Sequence, residues 1–202
     1  MLLIELTQKI GNQTSVYPIL ERYGCTRGPA WYEKRISSSR TMFTSHVDDV
    51  AAKEELVVHQ LVNERYLKNA TGILGADDKC GVYIMLHMIE AGVPGHYVFF
   101  DNEESGCQGS LQMSRNLSKE DYDRCISFDR KGYTDIITSQ MGQECCSEEF
   151  AQALSNQLAK HSIFMQGTSG VYTDSSSFMS IIPECTNLSV GYFHQHTNSE
   201  YV

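Results

Sequence analysis

The 202-residue sequence contains no CxxC pair, no long basic run, no apolar run of membrane-spanning length, and no internal repeat, low-complexity tract or linker. The missing CxxC pairs exclude a structural zinc ribbon. The seven cysteines (Cys25, Cys80, Cys107, Cys125, Cys145, Cys146 and Cys185) are too sparse for a small disulfide scaffold. They read as reduced, partly buried thiols in a reducing compartment. The formal net charge of −9 and the lack of basic runs argue against nucleic acid, whose phosphates need basic patches. Met1–Ile4 is apolar, but Glu5 and Lys9 interrupt it before signal-peptide length, and nothing approaches a membrane span. The expected protein is soluble and cytoplasmic, with no membrane partner. With no linker in view, residues 1–202 read as one domain large enough for a hydrophobic core.

What is present is an ordinary globular balance, 41% apolar and 20% charged, arranged as alternating strands and helices. Leu2–Ile10 and Ser15–Tyr23 read as short helices. Thr41–Ser45 reads as a strand ending at His46, and Leu56–Leu67 as a hairpin turning near Asn63-Glu64. Val82, Met85, Leu86 and Ile89 give Cys80–Glu90 the spacing of a buried helical stripe, which Ala91-Gly92 ends. Tyr97–Phe100 is a continuous apolar run, the mark of a buried strand. A polar segment with helical potential follows Glu104. Cys125–Phe128, Asp135–Ser139 and Leu188–Tyr192 are further strand candidates, and Ser147–Lys160 opens as a capped helix. This alternation predicts an α/β fold, a three-layer α/β/α sandwich with a mixed, mostly parallel central sheet. In such folds the loops at the carboxyl ends of strands gather the functional groups.

Five polar sites fall at those ends. His46 and Asp48 follow the first strand; Asp77 and Asp78 precede the apolar helix. Glu103 and Glu104 follow Tyr97–Phe100, Asp129 follows Cys125–Phe128, and His196 follows Leu188–Tyr192. Singly each has an ordinary explanation: a surface histidine, an Asp pair capping a helix, a solvated Glu pair. Their recurrence at successive strand ends is what independent caps would not produce. Two imidazoles and three carboxylates suit a pair of borderline divalent ions, zinc by default. Two Zn²⁺ carry four positive charges, which three carboxylates and a hydroxide balance. One carboxylate must then bridge, and an uncoordinated acid must handle the proton; Glu103 beside Glu104 offers it. His194, two positions before His196, stands as an alternative ligand.

At these residues the sequence resembles the zinc-dependent exopeptidases, a superfamily of aminopeptidases, tripeptidases and related amidohydrolases. The match runs in order from about residue 41. It comprises His46-Val47-Asp48, the run Gly75-Ala76-Asp77-Asp78-Lys79-Cys80-Gly81, Glu103-Glu104-Ser105-Gly106 with Gly109-Ser110, Asp129, Thr173-Asp174-Ser175, and the tail His196-Thr197-Asn198-Ser199-Glu200-Tyr201. The resemblance implies that Asp77 bridges two metals, that His46 and Asp129 complete one site, and that Glu104 and His196 complete the other. It implies that Asp48 orients His46 and that Glu103 moves the proton from water to the leaving amine. It also implies a cis peptide after the bridging Asp. The tail fits the family better with His196 as ligand than with His194. Asp174 is either part of the Thr-Asp motif or a helix N-cap. Cys80 and Cys107 sit inside motifs and read as packing, and Asp49 and Asp78 as caps or supporting acids.

Spacing bears on architecture. His46 and Asp77 are 31 positions apart and Asp129 and His196 are 67 apart, which leaves no room for an inserted lid or dimerisation domain. The family usually continues past the position of Val202 into a final helix. The expected function is a dinuclear zinc aminopeptidase acting on a peptide or small amide substrate, its oligomeric state open. The alternatives are a related amidohydrolase or deacetylase, and a catalytically silent metal-binding module.

Overall fold

The computed structural model describes residues 2–202. Eight strands form its central sheet: β1 (Thr26–Arg27), β2 (Trp31–Ile36), β3 (Thr41–His46), β4 (Gly95–Phe100), β5 (Arg124–Arg130), β6 (Asp135–Ile137), β7 (Met165–Gly167) and β8 (Glu184–Ser189). Their spatial order is β7–β6–β8–β5–β3–β4–β2–β1. The central four, β8, β5, β3 and β4, pair in parallel. Antiparallel pairings follow at β6–β8, β4–β2 and β2–β1, while β7 pairs parallel with β6. The sheet is thus mixed, with a parallel centre.

Five α-helices accompany it: α1 (Leu2–Leu6), α2 (Tyr17–Arg22), α3 (Ala76–Glu90), α4 (Gln108–Ser114) and α5 (Glu148–Leu158), with a 3₁₀ turn at Asp174–Phe178. Successive residues of β3 show that both faces of the sheet are covered. Ser45 Oγ donates to the Asp78 carboxylate of α3 at 2.6 Å. Thr44 Oγ1 lies 2.6 Å from Ser127 Oγ, which accepts the N–H of Ser175 in the 3₁₀ turn. Adjacent strand residues point to opposite faces, so α3 and the 3₁₀ turn flank the sheet from two sides.

Burial follows the sequence pattern. Tyr97, Val98, Phe99 and Phe100 are fully buried at the sheet centre, as a two-face-covered parallel strand requires. Val82, Met85, Leu86 and Ile89 of α3 pack into the same core. A smaller cluster of Ile10, Val57, Leu74, Ala76, Cys80 and Tyr192 forms a separate apolar group that includes the start of α3. The hairpin predicted between Leu56 and Leu67 is present as His59–Val62 and Tyr66–Asn69. It turns through Asn63 and Glu64, both at positive φ. The seven cysteines are free and buried. Among the described residues no helix is long and apolar enough to cross a membrane.

Several expectations are corrected. The helix expected over Leu2–Ile10 ends at Leu6, and Lys9–Ile10 instead pairs with Glu55–Leu56 as a short antiparallel ribbon. The helix expected over Ser15–Tyr23 is Tyr17–Arg22, entered through a 3₁₀ turn. The strand placed at Leu188–Tyr192 is Glu184–Ser189, because its polar residues Thr186 and Asn187 are satisfied internally. β2 lies outside the strand candidates of the sequence pattern. Its charged residues Glu33, Lys34 and Arg35 hide a strand that pairs along the whole length of β4.

Candidate metal centre

Because β3, β4, β5 and β8 run parallel, their carboxyl ends line one edge, and each delivers a chemical group there. β3 ends at His46; β4 leads into Asn102-Glu103-Glu104; β5 carries Asp129 within its last turn of strand; β8 leads to the loop of His196. Asp129 therefore lies inside a strand rather than after it. The fifth element is the N-terminus of α3, where Asp77 and Asp78 have non-helical backbone angles and the Asp77–Asp78 peptide is cis.

The side chains converge. His46 Nε2 lies 3.2 Å from Asp77 Oδ1, 3.6 Å from Asp129 Oδ1 and 3.8 Å from Glu103 Oε2. His196 Nε2 lies 3.3 Å from Asp77 Oδ2 and 2.8 Å from Glu104 Oε1. The two oxygens of Asp77 therefore face two different histidines. Three overlapping groups have donor atoms within 4.8 Å of one another: Asp77, Glu104 and His196; His46, Glu103 and Glu104; and His46, Asp78 and Asp129. The structure brings His196 to this cluster and leaves His194 outside it, against the ring of Tyr201.

Asp78, read from the sequence as a cap or support, is fully buried and already engaged. Its carboxylate accepts from Ser45 Oγ, the His46 N–H and the Gly81 N–H. Lys79, also fully buried, pairs with Asp49 at 2.7 Å, and Asp49 in turn accepts the N–H groups of Gly11 and Ala51. The Asp-Asp-Lys run thus faces the cluster, the end of β3 and the following loop in three successive residues.

Asp48 does more than the sequence suggested. Its Oδ1 is 3.4 Å from His46 Nδ1, whose nearer neighbour is the Asp48 carbonyl at 3.2 Å. The same carboxylate accepts the backbone N–H groups of Glu103 and Glu104 at 3.1 and 3.0 Å. It fixes the imidazole and the Glu-Glu loop together. Around Asp129, Thr173 Oγ1 donates at 2.5 Å and Tyr192 OH at 3.2 Å, and Asn187 brackets its backbone. Glu200 holds the start of α3: its carboxylate accepts the N–H groups of Leu74, Gly75 and Asp77. Sequence reasoning assigned no role to Glu200, Tyr192 or Asn187. Only Glu200 carried a signal, its place in the tail motif.

The electrostatics of the cluster identify what fits it. Among the described residues, none of Asp77, Glu103, Glu104 and Asp129 has a Lys or Arg at ion-pair distance. Burial and neighbouring carboxylates push the Glu103 carboxyl up to about 9 and raise Glu104 and Asp129 as well. Burial would raise Asp77 too, but its bonds to His196 and His46 hold it below the usual range. For His46, burial disfavours the charged form, yet Glu103 and Asp129 outweigh it and raise its pKa well above the ordinary value. His196 is pushed up to about 9, chiefly by Asp77. Crowded carboxylates that resist ionisation, with histidines drawn toward the charged form, form a site short of positive charge. Oxygen and imidazole donors in this number fit divalent cations, zinc among them.

No protein-family model and no curated protein sequence matches the chain. Solved structures do. The aminopeptidase PepT from Bacillus cereus superposes with a TM-score of 0.78 at 15% identity, over 99% of this chain and 91% of that one. A tripeptidase from Staphylococcus aureus gives 0.71 at 16% identity, over 100% and 91%. A zinc aminopeptidase from Bacillus subtilis gives 0.56 at 17% identity, over 84% of this chain and 43% of that one. At these identities the likeness concerns the fold, and the chain has a zinc-exopeptidase-like α/β fold.

Proposed function

On this zinc-exopeptidase-like fold, we propose that the chain is a metal-dependent peptide hydrolase, an aminopeptidase built as one minimal catalytic domain. The observation that carries the proposal is Asp77, whose two oxygens address His46 and His196 separately while Asp129 and Glu104 flank them. His46 and Asp129 would hold one divalent ion, Glu104 and His196 a second, and Asp77 both. When bound, the ions would lower the pKa of water and polarise the scissile carbonyl.

The rest is the work of the chain's own groups. Asp48 holds His46 and the Glu103–Glu104 backbone in one frame, which fixes the histidine orientation and the position of the acid beside it. Glu103 has no Lys or Arg partner and lies 3.8 Å from His46 Nε2 at the edge of the cluster, so with cations bound its carboxylate would be free to accept a proton. It takes the proton of the attacking water and returns it to the leaving amine. Thr173 and Tyr192 fix the Asp129 carboxylate, one on each oxygen.

Metal analysis combined with a panel of free-amino and N-blocked peptides tests the proposal. Two divalent ions per chain and turnover of free-amino peptides are the expected result. Preference for blocked substrates would replace the aminopeptidase with a related amidohydrolase or deacetylase. A chain that binds metal without turning over either class would be a binding module.

A further inference from the structure

A second cavity opens beside the metal cleft. Its volume is about 390 Å³, and Gly106, Cys107, Leu111, Tyr172, Ser176 and Ser177 line it. The cleft proper, about 280 Å³, carries Asp77, Glu103, Glu104, Asp129 and His196 and shares Gly106, Cys107 and Tyr172 with its neighbour. The two spaces therefore adjoin, the second within a side chain's reach of a molecule lying over the carboxylates. At about 30 Å³ per water, that space equals roughly a dozen waters, room for a large aliphatic or aromatic side chain.

Local structure sets its shape. Cys107 begins α4 at positive φ, with its thiol donating to Glu103 Oε1 at 3.6 Å, so the wall starts at the acid itself. Cys107 is thus a lining residue and not packing alone. Ser110 Oγ, fully buried, meets Ser177 Oγ at 2.9 Å and ties α4 to the 3₁₀ turn, the two elements that give the cavity Leu111, Ser176 and Ser177. None of the six lining residues is charged. Asp174, the nearest carboxylate in the turn, is 1% exposed and does not line the cavity.

We infer that this cavity receives the side chain of the residue whose carbonyl is attacked, and that it selects uncharged, apolar side chains of leucine to phenylalanine size. The inference rests on the hydrolase proposed above. An enzyme that removes the first residue needs a bounded space for one side chain beside the attacked carbonyl; the cavity adjoins the acid through Cys107, and the Ser110–Ser177 contact braces its walls. A Lys or Glu side chain entering it would surrender hydration with no charged partner in the lining, a cost an apolar side chain does not bear.

The test uses the Zn²⁺-loaded chain with amino-acid amides and, by calorimetry, the corresponding amino alcohols, which carry the same side chains but no scissile bond. Leucine and phenylalanine amides should exceed alanine, lysine and glutamate amides in kcat/KM by about ten-fold or more. Leucinol should bind more tightly than alaninol or lysinol. Leu111→Lys should lower the leucine-to-glutamate ratio about ten-fold, and Leu111→Asp the leucine-to-lysine ratio. These are ratios, so partial loss of folded protein does not alter them. Turnover without side-chain preference, or ratios unmoved by both variants, would overturn the cavity's role and leave the hydrolase standing. Leucinol discrimination without any turnover would support the cavity and sink the hydrolase. Equal binding of all the amino alcohols would overturn the inference whatever the turnover.

Discussion

Glu200 Oε1 accepts the backbone N–H of Asp77 at 2.9 Å, across 123 positions of sequence. The same buried carboxylate takes the N–H groups of Leu74 and Gly75 at 2.7 and 2.8 Å through its other oxygen. It stands four residues after His196, so one side chain locks the loop of one histidine to the backbone of the carboxylate that faces both.

Glu200→Gln keeps the shape but replaces one acceptor oxygen with an NH₂ that opposes a backbone N–H. Zinc affinity should fall about 10–100-fold, the usual consequence of losing a group that orients a ligand. Competition with a chromophoric chelator measures it, and unchanged affinity would separate Glu200 from the metal centre.

Glu103→Gln should retain its metal and its fold while kcat falls about 10²–10⁴-fold. Metal content and circular dichroism check the first part, steady-state kinetics the second. A variant with full metal and full rate would remove Glu103 from proton transfer.

Gly81 is where α3 touches the sheet: a Cβ there would meet the Phe128 carbonyl oxygen at 1.9 Å and both Asp78 carboxylate oxygens at 2.7 Å. Gly81→Ala should destabilise the protein by about 1–3 kcal/mol. Because Phe128 immediately precedes Asp129, it should also weaken metal binding. Urea unfolding with and without zinc reads both effects, and an unchanged midpoint would show that the contact yields freely.

Far from the site, His96 bridges Tyr122 OH and Glu33, both at 2.6 Å. Burial lowers the His96 pKa from 6.5, and the bond to His96 lowers that of Glu33 from 4.5. In both cases the unfolded chain binds protons more readily than the folded one, so stability is present above the unfolded pKa and is lost as pH falls. Loss should begin below about pH 6.5 through His96 and continue below about 4.5 through Glu33. Thermal melts from pH 7 to 4 on wild type and His96→Gln test it, and parallel profiles for the two proteins would contradict it.

Where a single face or a single turn decides structure, the sequence pattern suffices. The stripe of Val82, Met85, Leu86 and Ile89, the Tyr97–Phe100 run and the Asn63-Glu64 turn depend on neighbours a few residues away. β2 is hidden in the sequence because its pattern is set by a partner: Glu33 finds His96 only when β2 lies beside β4. β8 was shifted for a like reason, since Thr186 and Asn187 look exposed until β5 and β6 supply their acceptors.

The alternation of strands and helices determined the α/β fold, and the order of the motifs, from His46 through Asp77, Glu103-Glu104 and Asp129 to His196, named the side chains that gather at one sheet edge. The meeting of His196 with Glu104 and Asp77, the double hold of Asp48 on the Glu-Glu backbone, the clamp of Glu200 on Asp77 and the cavity beside the cleft were decided only in three dimensions. Each depends on directional hydrogen bonds between residues tens of positions apart, and sequence spacing carries no information on such geometry until parallel strands bring their ends to one edge.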